Sequence, residues 1–300
     1  MTSGTSLAAA FDARLSEPGS IAGLLLRAAR LHPSSGIHCV EQGRERFISY
    51  PQLLEEALAI LGGLRARGCV PGSNVALLLT QPTDFLACFW ACVLGGFAPC
   101  PLAPIRNDQE RWLQHLAHIN TLFDRPALIT TPDFMRDMAD IDAVDIATLR
   151  DDAPDAWVHE AQPSDVAFFM LTSGSTGNSK AVALTHANLL ASLPGKNEFQ
   201  QLGGADVALN WIALDHVASI IETHLLPLFA GASQVHASPD LILGDPLNFL
   251  RFTHHALRKF TEPLFKRPIK EQIREHSHRN DRQETDGDEI NEQACLDLRT

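Results

Sequence analysis

From Leu171 to Val182 the chain reads LTSGSTGNSKAV: five hydroxyl side chains, two glycines and a lysine packed into a dozen residues. Gly174 and Gly177 can adopt backbone angles closed to other residues, which lets successive N–H groups turn into one concavity. Such a concavity holds phosphate oxygens. Thr172, Ser173, Ser175 and Thr176 would add hydroxyl donors, and Lys180 a positive charge. Lys180 is one of only two lysines before residue 257, the other being Lys196. A Walker-type nucleotide loop would need glycine directly before the lysine and a hydroxyl after it to hold Mg²⁺; neither is present. The G-x-G-x-x-G order of a dinucleotide fingerprint is also missing. A flexible glycine-serine linker is disfavoured by the apolar flanks. A phosphate cradle and a purely structural turn remain as readings of these residues, the cradle preferred.

Two strands must present such a loop. Val166–Leu171 is apolar and β-rich, and Ala181–Leu184 resumes that character. Thr185 is placed to N-cap a helix through Leu193. Upstream, Ser20–Arg30 and Pro51–Gly68 read as amphipathic helices, the second closed by Gly68. Val75–Thr80, Ala98–Leu102 and Ala127–Thr130 read as short buried strands, alternating with helices at Asp84–Leu94 and Gln109–Asn120. Downstream, Asp206–Leu214 reads as a strand, His216–Phe229 as a helix and Ser233–His236 as a strand. This alternation predicts an α/β protein of layered, largely parallel sheets with flanking helices. The expected domains are an N-terminal α/β subdomain (1–150), a second, incomplete one carrying the loop (151–256), and a tail (257–300). Residues 150–164, polar and proline-bearing, read as the connector between the two lobes.

Composition bounds the function. With 45% apolar and 20% charged residues the chain is an ordinary globular one, and a formal net charge of −12 without a basic stripe argues against nucleic acid. Phe85–Ile105 carries no charge, but Gly95-Gly96 and three prolines break it, so a buried helix and strand are expected rather than a membrane span. No signal peptide is evident. The six cysteines form no zinc-like pattern; Cys88 and Cys92 share an apolar helix face, and a reducing cytoplasm is expected. His115 and His118, three apart on a helix, read as surface histidines.

Four segments in order resemble the adenylate-forming superfamily of AMP-dependent synthetases and ligases. That family includes acyl-CoA synthetases, fatty-acyl-AMP ligases and nonribosomal peptide synthetase adenylation domains. The segments are Phe47–Tyr50 with Leu53, Trp90–Pro104, Thr172–Lys180, and Ala213–Ser219 with Leu225–Ala232. The likeness spans roughly residues 15–256, the N-terminal part of that fold, and the wording around Trp211–Leu226 is similar to ligases loading acids onto polyketide or nonribosomal assembly lines. It implies ATP-dependent activation of a fatty, aryl or amino acid to an acyl-adenylate, then transfer to the thiol of coenzyme A or a carrier-protein pantetheine. By resemblance, Thr172, Ser173, Gly174, Ser175, Thr176 and Gly177 wrap phosphates, Lys180 supplies charge, and His216 lies on the acyl side of the catalytic site. Ser179 stands where the loop usually carries proline.

The resemblance also implies ATP and Mg²⁺ as cofactors, yet the segments that hold adenine, ribose and Mg²⁺ in the family, and the lid lysine, are not found. Glu284–Asp288 has only a superficial likeness to the ribose segment. Residues 257–300 hold 19 charged residues of 44 and three of the five lysines, typical of a solvated tail, helical at most over Leu257–Glu275. The expectation is a truncated ligase, inactive alone, whose missing half a separate chain supplies. The alternatives are a non-catalytic remnant, or an interaction protein using its tail.

Overall fold

Ser49 begins the longest helix among the described residues by accepting a hydrogen bond from the Gln52 backbone N–H, while the Gln52 side-chain oxygen accepts one from the Ser49 N–H. Such reciprocal capping satisfies two donors that a helix start otherwise leaves orphaned. The computed structural model describes residues 18–41, 44–136, 142–172 and 179–261. In chain order these form α1 (Ala22–Leu31), β1 (Gly36–Glu41), β2 (Arg44–Ser49), α2 (Tyr50–Ala66), β3 (Asn74–Leu77), α3 (Pro82–Gly95), β4 (Ala98–Pro101) and α4 (Gln109–Leu122). There follow β5 (Ala127–Thr130), α5 (Pro132–Met135), β6 (Ala143–Asp145), α6 (Ile146–Leu149), β7 (Val166–Thr172), β8 (Lys180–Thr185), α7 (His186–Gln200) and β9 (Val207–Asn210). The described chain closes with α8 (Val217–Ile220), a π-helical turn (Ile221–Leu225), α9 (Leu226–Ala230), β10 (Ser233–Ala237), α10 (Pro239–Gly244) and α11 (Leu247–Thr261).

Two four-stranded sheets result. The first has the order β2-β1-β10-β9, with β1, β10 and β9 parallel and β2 antiparallel; the second, β4-β3-β5-β6, is wholly parallel. Along β3, side chains alternate between two cores: Val75 and Leu77 face one cluster, Ala76 and Leu78 the other. The first cluster joins α1, α2 and α3 to Ile37, Cys39 and Ile48 of the first sheet, so these helices fill the layer between the sheets. The second cluster packs Trp112, Leu116 and Ile119 of α4 on the opposite face of the second sheet. The charge-free stretch expected to be buried is α3, in which Phe85 to Leu94 are all at most 1% exposed. Among the described residues no helix is long and apolar enough to cross a membrane.

Residues 1–253 make one compact unit and 254–300 a second. Sheet pairing does not follow the expected division at residue 150, since β1 binds β10 across it, Ile37 opposite Gln234. Residues 150–164, read as a connector between lobes, lie as a strap along α2 and α3. Asp155 N–H donates to the Leu58 carbonyl (3.1 Å) and His159 N–H to that of Leu94 (2.8 Å). Gly62 and Gly96 admit the strap, and Gly63 admits the end of α6 just before it. A Cβ on Gly62 would stand 2.0 Å from the Ala153 carbonyl oxygen, and one on Gly63 2.3 Å from that of Leu149. Gly96 lies against the His159 ring with φ of 73°, closed to most side chains.

Three other elements differ from the sequence reading. The predicted strand 206–214 stops at Asn210, whose amide binds the Ile212 N–H and carbonyl and turns the chain. The predicted helix 216–229 is interrupted by the π turn; Pro227 lacks an N–H, and the wider turn absorbs that defect. The charged helix expected over 257–275 is described only as far as Thr261, within α11. The β1–β2 hairpin carried no sequence signal that we read.

Candidate phosphate-binding hairpin and strand-end crevice

β7 and β8 form an antiparallel hairpin in which Thr172 pairs with Lys180, so these residues face each other at the neck of the loop. The Thr172 hydroxyl lies 3.4 Å from the Lys180 carbonyl and donates to it. Ser173, Gly174, Ser175, Thr176 and Gly177 lie outside the described residues. β7 is well anchored: Ala167, Phe168 and Met170 are buried, and the Phe168 ring meets Phe89 edge-on at 5.5 Å. β7 runs beside β4, and Phe169, Leu171 and Ala181 pack on the α4 core. β8 is its opposite, with Lys180 exposed and Val182 44% exposed. Lys180 has no ion-pair partner among the described residues, leaving its ammonium available to an anion. Thr185 N-caps α7 through its bond to the Asn188 N–H at 3.1 Å, as expected.

His118 corrects the sequence reading. It is half-buried, and its Nε2 lies 2.7 Å from the Ser179 carbonyl oxygen, one residue before Lys180. A carbonyl only accepts, so Nε2 carries the proton and donates. Its neighbour His115 is also half-buried; desolvation, with the charges of His118 and Arg111, lowers its pKa.

His216 lies elsewhere in the chain, after β9. It is exposed, and its Nδ1 accepts the Ala218 N–H (3.2 Å), capping the short α8. Among the described residues no hydrogen bond joins it to Thr172 or Lys180. The segment just before it borders a crevice of about 480 Å³ at the carboxyl ends of β3, β4, β9 and β10. Leu79, Phe85, Leu102 and Leu214 give it apolar walls, while Arg106 and Asp215 are polar groups on its rim. Carboxyl ends of parallel strands are where open α/β sheets place ligands. Arg106 lies over the Phe134 ring at 5.7 Å and has no ion-pair partner among the described residues. Burial raises the Asp215 carboxyl above the usual range. We did not single out Arg106 or Asp215 from sequence; Asp215 stands beside His216, but its type alone said nothing of the crevice.

A buried polar chain fixes the base of that crevice. The Trp90 indole N–H can only donate, so His224 Nε2 accepts from it at 2.8 Å. His224 Nδ1 therefore holds the proton and donates to Gln234 Oε1 (2.8 Å). The same oxygen accepts from His236 Nε2 at 2.9 Å, which leaves His236 Nδ1 to accept from the Asn210 amide at 3.1 Å. The Gln234 amide nitrogen donates to the Tyr50 oxygen (3.0 Å) and the His224 carbonyl (3.1 Å), and the Tyr50 hydroxyl donates to the Ala232 carbonyl. Every link then has one direction, and both imidazoles must be neutral. Burial accordingly pushes His224 down to about 4 and His236 down to about 3, and pushes Tyr50 up.

Among the described residues no three His, Cys, Asp or Glu side chains come together as a metal site, so they offer no fit for Mg²⁺. At the hairpin neck, Lys180 stands exposed with no acidic partner among the described residues, a cation able to meet an anion.

The AMP-binding enzyme family model matches residues 25–254. Atromentin synthetase greA of Suillus grevillei is 38% identical over 189 residues, which are 60% of this chain and 20% of that protein. An inactive atromentin synthetase, invA3 of Paxillus involutus, is 36% identical over 213 residues, 65% of this chain and 22% of that protein. The chain thus spans about a fifth of the length of these relatives. Among solved structures, McyG A-PCP complexed with phenylalanyl-adenylate superposes with a TM-score of 0.74 at 27% identity, covering 80% of this chain and 39% of that one.

Proposed function

The chain belongs to the AMP-binding enzyme family, and we propose that its Thr172–Lys180 hairpin grips the phosphates of ATP while a carboxylic acid is activated as an acyl-adenylate. The observation that carries this reading is the Thr172–Lys180 register, which closes a glycine- and hydroxyl-rich loop with a cation at its neck. Negative charge that builds on the phosphoryl oxygens during in-line transfer is met there by Lys180, and by Thr172 once its hydroxyl turns from the Lys180 carbonyl to the phosphate. The phosphate roles of Ser173, Gly174, Ser175, Thr176 and Gly177 belong to the same proposal. The crevice beside Leu214 and Asp215 takes the acid: its apolar walls suit a hydrocarbon or aryl body, and Arg106 suits a carboxylate on approach. His216, on the same loop, stands on the acyl side.

Adenine, ribose and Mg²⁺ contacts, and the thiol acceptor (coenzyme A or a carrier-protein pantetheine), fall to sequence outside this chain's matched span, in a further segment or a separate chain. These residues alone therefore bind phosphate without completing the reaction. Cys69, Cys88, Cys92 and Cys100, free thiols buried in the core, suit a reducing cytoplasm.

Calorimetric titration with ATP and with pyrophosphate tests the reading. Lys180→Ala is expected to weaken both by about tenfold, or ~1.4 kcal/mol, while leaving the melting temperature unchanged. No saturable binding of either ligand by the unmodified chain would sink it. Carboxylate-dependent ATP–pyrophosphate exchange by the chain alone would refute the proposed incompleteness. Of the charged tail that the interaction reading invokes, residues 262–300 lie outside the described residues.

A further inference from the structure

We propose that His118 is a positioning residue: from α4 it clamps the backbone at Ser179 and so fixes where Lys180 enters β8. The inference rests on the phosphate reading for its purpose, but its geometry stands apart from it. The imidazole Nε2 donates to the Ser179 carbonyl at 2.7 Å, across 61 positions of sequence. On the next residue, the Lys180 carbonyl accepts from the Thr172 hydroxyl, and Lys180 lies in register with Thr172. Two consecutive carbonyls are thus held from different sides, one by α4 and one by β7. The Lys180 side chain itself is left exposed and without an ion pair among the described residues.

The clamp answers a local weakness. β8 pairs with a single strand, β7, and none of its residues is fully buried, three of the six being exposed, so little apolar burial holds its first residue in place. Ser179 also brings no backbone restriction of its own. α4, by contrast, is seated in its core by Trp112, Leu116 and Ile119, so a bond from His118 ties the hairpin neck to a rigid element. A lysine used against phosphate needs its Cα fixed more than its side chain.

Amide hydrogen exchange of the peptide covering Ser179–Val182, read beside pyrophosphate affinity, tests the clamp. His118→Ala should speed exchange there about fivefold and weaken pyrophosphate binding by a similar factor, the size expected for one neutral hydrogen bond. His118→Gln, whose amide nitrogen reaches about as far as Nε2, should restore both. Ser179→Pro, the residue usual in the resembling loop, should rescue affinity in the His118→Ala background by restricting the backbone directly. His115→Ala, one turn away on the same helix, should change neither. Unchanged exchange in His118→Ala overturns the clamp, as does faster exchange with unaltered affinity. If the unmodified chain binds no pyrophosphate while exchange still rises in His118→Ala, the phosphate reading fails and the backbone clamp stands.

Discussion

The hairpin neck and the polar chain through Gln234 solve opposite problems with the same chemistry. Around Gln234, six side chains from five stretches of sequence exchange hydrogen bonds in the dark of the core, with each proton assigned a direction. At the neck, a hydroxyl and a histidine hold carbonyls, and a lysine faces solvent. Buried polar groups are secure only when fully matched, because each unmet donor there is expensive. An exposed neck can leave its charge unmatched until an anion arrives. Rigidity sits beneath the crevice, and spare valence at the neck, where an anion would arrive.

The comparison is easiest to break at its buried side. Gln234→Leu removes one acceptor for two imidazole N–H groups and a donor to Tyr50, and should destabilise the protein by about 5 kcal/mol. Thermal denaturation would then show a midpoint lower by roughly 10–20 °C, at a few degrees per kcal/mol for a chain of this size. A loss below about 1 kcal/mol would mean that the links described around Gln234 do not act together.

Acid attacks the same region. The folded-state pKa values of His224 and His236, about 4 and about 3, lie below the unfolded value of about 6.5. Their neutral forms therefore stabilise the fold fully above pH ~6.5, and that contribution drains away as pH falls towards 4. His186, whose Nδ1 accepts the Ile21 N–H and which burial pushes down to about 4, adds in the same direction. Between pH 7 and 5 the urea midpoint should drop by the equivalent of roughly 2–4 kcal/mol. A midpoint flat over that range would contradict the assigned protonation.

The hairpin side should respond more gently. Thr185→Ala removes the N-cap of α7 and should lose about 1 kcal/mol in chemical denaturation. Val182→Thr, on the exposed face of β8, should stay within about 0.5 kcal/mol of the parent. A loss of 2 kcal/mol there would imply that β8 is covered by a neighbour and that the contrast between the regions is smaller than described.

What could be read ahead of the structure follows the range of the forces involved. The β7–β8 pair was legible because its signals are local: two β-rich flanks close together in sequence, with Thr185 as the following cap. The burial of α3 was legible from composition alone. The early end of β9 was not, because Asn210 turns the chain while reaching His236, 26 positions away. Neither was the π turn, whose His224 answers to Trp90, 134 positions away. The strap over residues 150–164 read as a linker, although Gly62 and Gly96, one from each glycine pair, lie against it. Paired glycines weaken a helix unless something must come close. His118 looked like a surface residue because its partner is a backbone carbonyl, and carbonyls leave no mark in sequence.

The placement of β10 beside β1 bears on how this protein is made. Residues 36–41 leave the ribosome first, but their parallel neighbour spans residues 233–237. At roughly 5–20 residues per second, the β1–β2 ribbon waits about 10–40 seconds for the strand that completes its sheet. A two-stranded ribbon is at best marginally stable in water, so the early chain spends that interval with an apolar face exposed. Slow synthesis or pausing before residue 237 therefore lengthens the window in which nascent chains can pair with one another. The yield of this protein should depend on chaperone capacity and translation speed as much as on its final stability.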